Sequence, residues 1–251
     1  MNSELDTSKM PKVLIYITTH MSDQHKEHFK HCWPLALKNS YLLNSSDIKV
    51  YMTPKYDKVR ESIQIINETF KRIDFTYHLV HNRSYHKRAV DAMYQAARNG
   101  WFDGYDWVFR MNPDVIMQDD TWMLNTIMND ADASLLYVEC LPDLHPTFGN
   151  TRKLHTDFFG LKLNALAEGQ LLNTNGQAEE IFTRQMIPII ERGQHRHIPD
   201  TFPLMTSYCR VNGNPFGPVY HFQDDNGWVN EVKNGVCPAF FNNLDENGNW
   251  L

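Results

Sequence analysis

"DWVFRMNPDV", residues 106–115, is the stretch on which the fold turns. Trp107, Val108, Phe109 and Met111 make the short apolar run expected of a strand covered on both faces. The run stops at Asn112-Pro113-Asp114. Proline has no N–H to give a sheet ladder, so a central strand ends there and the turn is stiff. Arg110 alternates with Phe109 and Met111 and so points to the opposite sheet face. A cation buried there needs partners. The stretch therefore displays an amide and a carboxylate at the C-terminal end of a strand. A second acidic pair, Asp119-Asp120, follows closely.

The neighbouring segments give that strand its context. "KVLIYIT" (12–18) is another continuous apolar run. Residues 22–39 have helical character, with Ser22 as N-cap. "DIKVYMT" (47–53) reads as a strand, 58–73 as a helix with apolar residues at helical spacing, and "DFTYHLVHN" (74–82) as a strand. Residues 84–100 form a helix closed by Gly100. Strand alternating with helix in this way predicts a doubly wound, mostly parallel α/β sheet flanked by helices. Beyond residue 120 the pattern gives a helix (121–130), a strand (133–140) and a loop-rich stretch (141–156). A segment from 157 starts as a strand and becomes a helix. The helix 177–193 is kinked or ended near Pro188. Residues 1–11 read as a flexible N-terminal segment. Residues 12–251 read as one domain, with a nucleotide-binding half (12–120) and a half that completes the sheet and meets the acceptor (121–251).

Bulk properties narrow the function. The net charge of −6 disfavours a nucleic-acid coat, because phosphate backbones call for a basic surface. "MNSELDTSKMPK" has no apolar signal core, and "VLIYIT" is too short to span a bilayer. The four cysteines, Cys32, Cys140, Cys209 and Cys237, are far apart with no CxxC pair. They read as reduced, and the protein as cytoplasmic. There is no P-loop, GxGxxG or GxSxG, which disfavours ATPases, dinucleotide oxidoreductases and Ser-His-Asp hydrolases.

Ligands of open α/β sheets sit at the carboxyl ends of the strands. Asn112 and Asp114, two apart on a stiff turn, offer hard oxygen ligands of the kind Mg²⁺ or Mn²⁺ prefers beside a diphosphate. Asn-Pro-Asp is also ordinary turn chemistry. The layout resembles the GT-A fold of nucleotide-sugar-dependent glycosyltransferases, whose fourth strand ends in an Asp-x-Asp motif that holds a divalent cation against the donor diphosphate. Asn112-Pro113-Asp114 is similar to that motif, with Asn in place of the first Asp and one negative charge fewer. "HTDFFGLK" (155–162) resembles the family's glycine-containing segment facing donor sugar and acceptor, through Asp157 and Gly160. "QAEEIF" (177–182) resembles the acidic helix start that carries a general base in inverting members. "GPVYHFQDDNGW" (217–228) resembles the C-terminal segment whose histidine completes the metal or phosphate site, matched by His221. The "NPDV" and "HTDFF" pair also resembles small soluble transferases of algae, fungi and large algal viruses.

The resemblance implies a glycosyltransferase of glycan biosynthesis. Its partners would be a nucleotide-sugar donor, with UDP favoured over GDP, and a glycan acceptor; its cofactor would be Mn²⁺ or Mg²⁺. Asp114, with Asn112 and His221, would hold the metal. Glu180, then Glu179, would be the base of an inverting reaction, and Asp157 competes if its phenylalanine neighbours make a dry site. Acids at a helix start also have a purely structural use. Thr18, Thr19 and His20, after the first strand, would meet the nucleotide, and Lys87, Arg83 or Arg88 its phosphates. Phe158, Phe159, Phe222 and Trp228 could stack on sugars or fill the core.

Three rivals stand beside this reading. "HMSDQHKEHFKHC" could bind zinc, although His25, His28 and His31 recur every three residues and drift around a helix; the alternative is a polar, solvent-facing helix. Asp114, Asp119 and Asp120 could form a metal-dependent phosphohydrolase. A chain with a degenerate metal motif could also bind nucleotide sugar or glycan without transferring.

Overall fold

The computed structural model describes residues 10–71, 75–79, 88–140, 153–166, 178–199, 219–221 and 237. Its core is a seven-stranded sheet in the order β3-β2-β1-β4-β7-β6-β8. The strands are β1 (Val13–Thr19), β2 (Asp47–Met52), β3 (Phe75–Leu79), β4 (Trp107–Met111), β6 (Leu135–Cys140), β7 (Lys153–Lys162) and β8 (His195–His197). β1, β2, β3 and β4 run parallel. β7 is antiparallel to both β4 and β6, and β8 returns parallel to β6. Elements from both halves of the chain thus share one sheet. β5 (Val115–Met117) and β9 (Val219–His221) form a second, two-stranded antiparallel sheet.

Alternation along the strands builds two cores. Val13, Ile15 and Ile17 of β1 pack with Phe109 and Met111 against the helices that follow β1 and β2. Those helical elements are α1 (Asp23–Glu27), a π-helical turn (His28–Cys32), α2 (Trp33–Asn39), α3 (Tyr41–Ser45) and α4 (Val59–Thr69), with α6 (Thr121–Asn129) beside them. Leu14, Tyr16 and Val108 face the other way, against α5 (Arg88–Arg98) and α7 (Ala178–Glu191). β1 and β4 are buried along their whole length, which is why each reads as an unbroken apolar run.

Local signals hold where the sequence marks them. Ser22 caps α1, its Oγ accepting from the His25 N–H at 3.2 Å. Gly100, at φ +70°, takes the left-handed conformation that closes α5. Other expectations are corrected. Pro188 does not end α7, because the residue after it, Ile189, lies in the buried stripe and packing holds the turn. The histidine-rich stretch 20–32 is not a polar, solvent-facing helix, since His25, Lys26, His28, Phe29 and Cys32 are all buried. The reduced state expected of all four cysteines fails for two of them: Cys32 and Cys237 form a disulfide across 205 residues, with Cα atoms 5.2 Å apart. Spacing could not show this, because only the folded chain brings the π-helical turn to the C-terminal segment.

Candidate active site

The strand β4 stops at Met111, and the turn behind it is fixed from three sides. The Asn112 N–H donates to the main-chain oxygen of Asp157 at 2.9 Å, and the Val115 N–H donates to the Asn112 carbonyl at 3.1 Å. The indole Nε1 of Trp33 donates to the Pro113 carbonyl at 3.0 Å. The stiffness expected from proline is thereby doubled by the π-helical turn that leads into Trp33.

A cleft of about 530 Å³ opens over this turn. Thr18, Thr19 and His20 enter it from the end of β1, His25 from α1, Asn112 and Asp114 from the turn, Thr156 and Asp157 from β7, and Glu179 from α7. Most of these are residues the sequence marks for one site. His25 enters the sequence reading only through the zinc rival, and Thr156 not at all: a threonine inside a strand gives no signal of its own.

Arg110 lies in the floor of the cleft, 2% exposed. Its Nη2 donates to Thr18 Oγ1 at 2.7 Å and to Asn112 Oδ1 at 2.6 Å. Its Nη1 donates to the Thr156 carbonyl and lies 3.4 Å from Asp157 Oδ1. Burial depresses the guanidinium pKa, and the Asp157 carboxylate opposes that shift. The partner a buried arginine requires is thus a set of four acceptors. Asn112 completes the network, with its Nδ2 donating to Asp157 Oδ1 at 2.6 Å. An Asp at position 112 would bring a second carboxylate against Asp157; the amide instead joins a cation on one side to an anion on the other.

The acids divide by surroundings. Asp157 is a quarter exposed and held by polar donors, so the dry site expected beside Phe158 and Phe159 is not what forms. Both phenylalanines point into the cores, Phe159 stacked on Phe182 with centroids 4.1 Å apart. They are core residues, not sugar platforms. Glu179 lines the cleft and accepts from Thr156 Oγ1 at 2.8 Å. Glu180, rotated about 100° around the helix, is not among the lining residues. Gly160 sits opposite Phe109 in the ladder, and a Cβ there would come within 2.7 Å of that ring. Its role is close packing.

Asp114 is 16% exposed and faces His25, with Oδ2 and Nε2 3.9 Å apart. The pairing of β5 with β9 sets His221 opposite Val115, the residue after Asp114. The backbone therefore brings the two ends of the expected metal motif together. Among the described residues no three His, Cys, Asp or Glu side chains gather as a metal cluster. The phosphohydrolase triad does not form. Asp120 is buried and its Oδ2 accepts from Ser40 Oγ at 2.7 Å and the Leu42 N–H at 2.6 Å, while Asp119 accepts from the Thr121 N–H at 2.8 Å. The acidic pair caps helices. Arg83, Lys87, Phe222 and Trp228 lie outside the described residues, as does the side chain of Arg88.

Compared by sequence, no family model and no curated protein matches the chain. Solved structures do share its fold. Mouse xyloside xylosyltransferase 1, in its apo form, is 10% identical with a TM-score of 0.52, over 86% of this chain and 98% of that one. The mannosyltransferase Ktr4p from S. cerevisiae is 11% identical with a TM-score of 0.51, over 90% of this chain and 82% of that one. Core-mannan synthase A from Aspergillus fumigatus, in a Mn/GDP form, is 8% identical with a TM-score of 0.50, over 77% and 74%. The chain has a GT-A-like α/β fold, as the order of its elements predicts.

Proposed function

We propose that this protein is a glycosyltransferase that moves a sugar from a nucleoside diphosphate to a hydroxyl of a glycan. One observation carries the reading: the cleft at the C-terminal ends of β1 and β4 gathers Asp114, Asn112, Arg110, Asp157 and Glu179 on a GT-A-like frame. The neighbours of that fold described above include a xylosyltransferase and two enzymes of mannose chemistry.

Thr18 and Thr19 meet the nucleotide, at the strand end where such folds receive it. His20 lines the same wall. Lys87 and Arg83 remain proposed phosphate contacts from the segment ahead of α5. Asp114 and His221 would hold a divalent cation with substrate phosphates filling the remaining positions; the carboxylate suits Mg²⁺ or Mn²⁺, and the imidazole favours the transition metal Mn²⁺ over Mg²⁺. Asn112 suits it less, because its Oδ1 is committed to Arg110. When bound, the cation would neutralise charge on the leaving diphosphate.

Glu179 is the base in this reading. It takes the acceptor proton at its carboxylate as the hydroxyl oxygen attacks the anomeric carbon; the bond from that carbon to the diphosphate breaks as the glycosidic bond forms, and this single displacement inverts the anomer. Asp157, held at Oδ1 by Asn112 and Arg110, binds and orients sugar hydroxyls. UDP remains the favoured donor from the sequence, and the Mn/GDP form of one neighbour makes GDP the second to test. A Cys32–Cys237 disulfide is a feature of oxidising compartments and weighs against the cytoplasm. No described helix is long and apolar enough to cross a membrane.

The test is incubation with panels of UDP- and GDP-sugars and oligosaccharide acceptors, read by mass spectrometry, with the product anomer read by NMR. Sugar transfer supports the proposal. Donor binding without transfer or hydrolysis in either panel would leave a binding module in its place.

A further inference from the structure

We infer that His25 is a third protein ligand of the cation held at Asp114, contributed by the first helix; this rests on the metal-assisted reading above. His25 is buried, with its side chain 6% exposed, yet it lines the cleft, and its Nε2 stands 3.9 Å from Asp114 Oδ2. Two donors that each lie about 2.1 Å from one ion can be at most about 4.2 Å apart. The observed separation falls within that limit and is too long for a hydrogen bond.

The other side of the ring is arranged as metal-bound histidines usually are. His25 Nδ1 is 2.9 Å from Thr19 Oγ1. A ligand histidine keeps its second ring N–H on a hydrogen-bond acceptor, which fixes the tautomer and aims the other nitrogen. Thr19 is itself held in place. Its Oγ1 accepts from the Met21 N–H at 3.0 Å, and Met21 adopts φ +54°, a left-handed conformation uncommon for a non-glycine residue. In the tautomer that gives Nδ1–H to Thr19, the lone pair of Nε2 is turned toward Asp114, and binding of a cation there would select that tautomer. The ring of His20 packs 4.4 Å from that of His25 and limits its rotation. A histidine serving only the core would need neither the cleft nor the carboxylate.

This ligand set also answers the departure at position 112. Asn112 has given its oxygen to Arg110, and a donor from α1 takes the place a first aspartate would have had.

The experiment is Mn²⁺ titration of the full chain by electron paramagnetic resonance, with UDP or GDP present, plus pulsed detection of ¹⁴N coupling to the bound ion. His25→Ala removes the ring. His25→Asn keeps an amide near the Nδ1 position for Thr19 and removes Nε2, so a folding defect in the first variant does not decide the matter. We expect Mn²⁺ affinity to fall at least tenfold in both variants, with reduced nitrogen coupling. Thr19→Val should weaken binding by about 10–100-fold, as loss of an outer partner does. Unchanged affinity and unchanged nitrogen coupling in His25→Asn would overturn the inference while leaving Asp114 and His221 in place. If the wild-type chain binds no Mn²⁺ with either nucleotide, the metal reading itself fails and takes this ligand with it.

Discussion

Replacing Arg110 with methionine should remove about 2–5 kcal/mol of folding stability, and the number follows from its contacts. Two short bonds, to Thr18 at 2.7 Å and to Asn112 at 2.6 Å, involve a charged donor. Such bonds contribute about 1.5–3 kcal/mol each, or roughly 3–6 kcal/mol together. The Asp157 contact is long, at 3.4 Å, and its carboxylate is a quarter exposed, so it adds little. Methionine fills most of the same volume with apolar atoms and returns about 1 kcal/mol. Lysine keeps the charge but is a point donor without the fork that spans Thr18, Asn112 and the Thr156 carbonyl. It should recover less than half of the loss. Urea unfolding at constant slope reads all three proteins. A loss below about 1 kcal/mol in the methionine variant, or full stability in the lysine variant, would refute the idea that the guanidinium fork organises the floor of the cleft.

Other outcomes follow from the same geometry. Asp114→Ala should abolish sugar transfer, and circular dichroism and melting temperature should stay near wild type. Glu179→Gln should lower turnover by at least about 100-fold, while Glu180→Gln should change it by less than about threefold, both measured as kcat with saturating donor. Gly160→Ala should lose about 1–3 kcal/mol by overpacking, since its Cβ would stand 2.7 Å from the buried Phe109 ring; Phe109→Leu in the same chain should restore part of the loss in a melting experiment. Reducing the Cys32–Cys237 disulfide, or changing both residues to serine, should lower stability by about 2–5 kcal/mol, because it closes a loop of 205 residues.

Much of the frame was legible because β1 and β4 are buried on both faces and so write unbroken apolar runs, and because Ser22, Gly100 and Pro113 act locally. Residues that gather at the cleft could be picked out where a polar side chain sits at or just past a strand end, as Thr18, Asn112 and Asp114 do; Asp157 lies inside β7 and is marked only by the family-like segment around it. What lay hidden depends on contacts made across the fold. β5 and β9 are three residues each and exist only by pairing with one another. Asp120 resembles a metal ligand until Ser40 and Leu42 claim its oxygen. The helix after β1 reads as polar because its histidines and Lys26 look exposed; burial of Phe29, Cys32 and Trp33 turns one face inward and takes His25, Lys26 and His28 with it, while Asp23, Lys30 and Lys38 stay in solvent. Glu179 and Glu180 are indistinguishable by composition, and only the rotation of α7 against β7 separates them.

The most direct test is a crystal grown with Mn²⁺ and either UDP or GDP, with data collected at a wavelength where manganese scatters anomalously. We expect a diphosphate over the turn after β4 and an anomalous peak beside Asp114. A nucleotide bound elsewhere on the protein, with that turn untouched, would contradict the account.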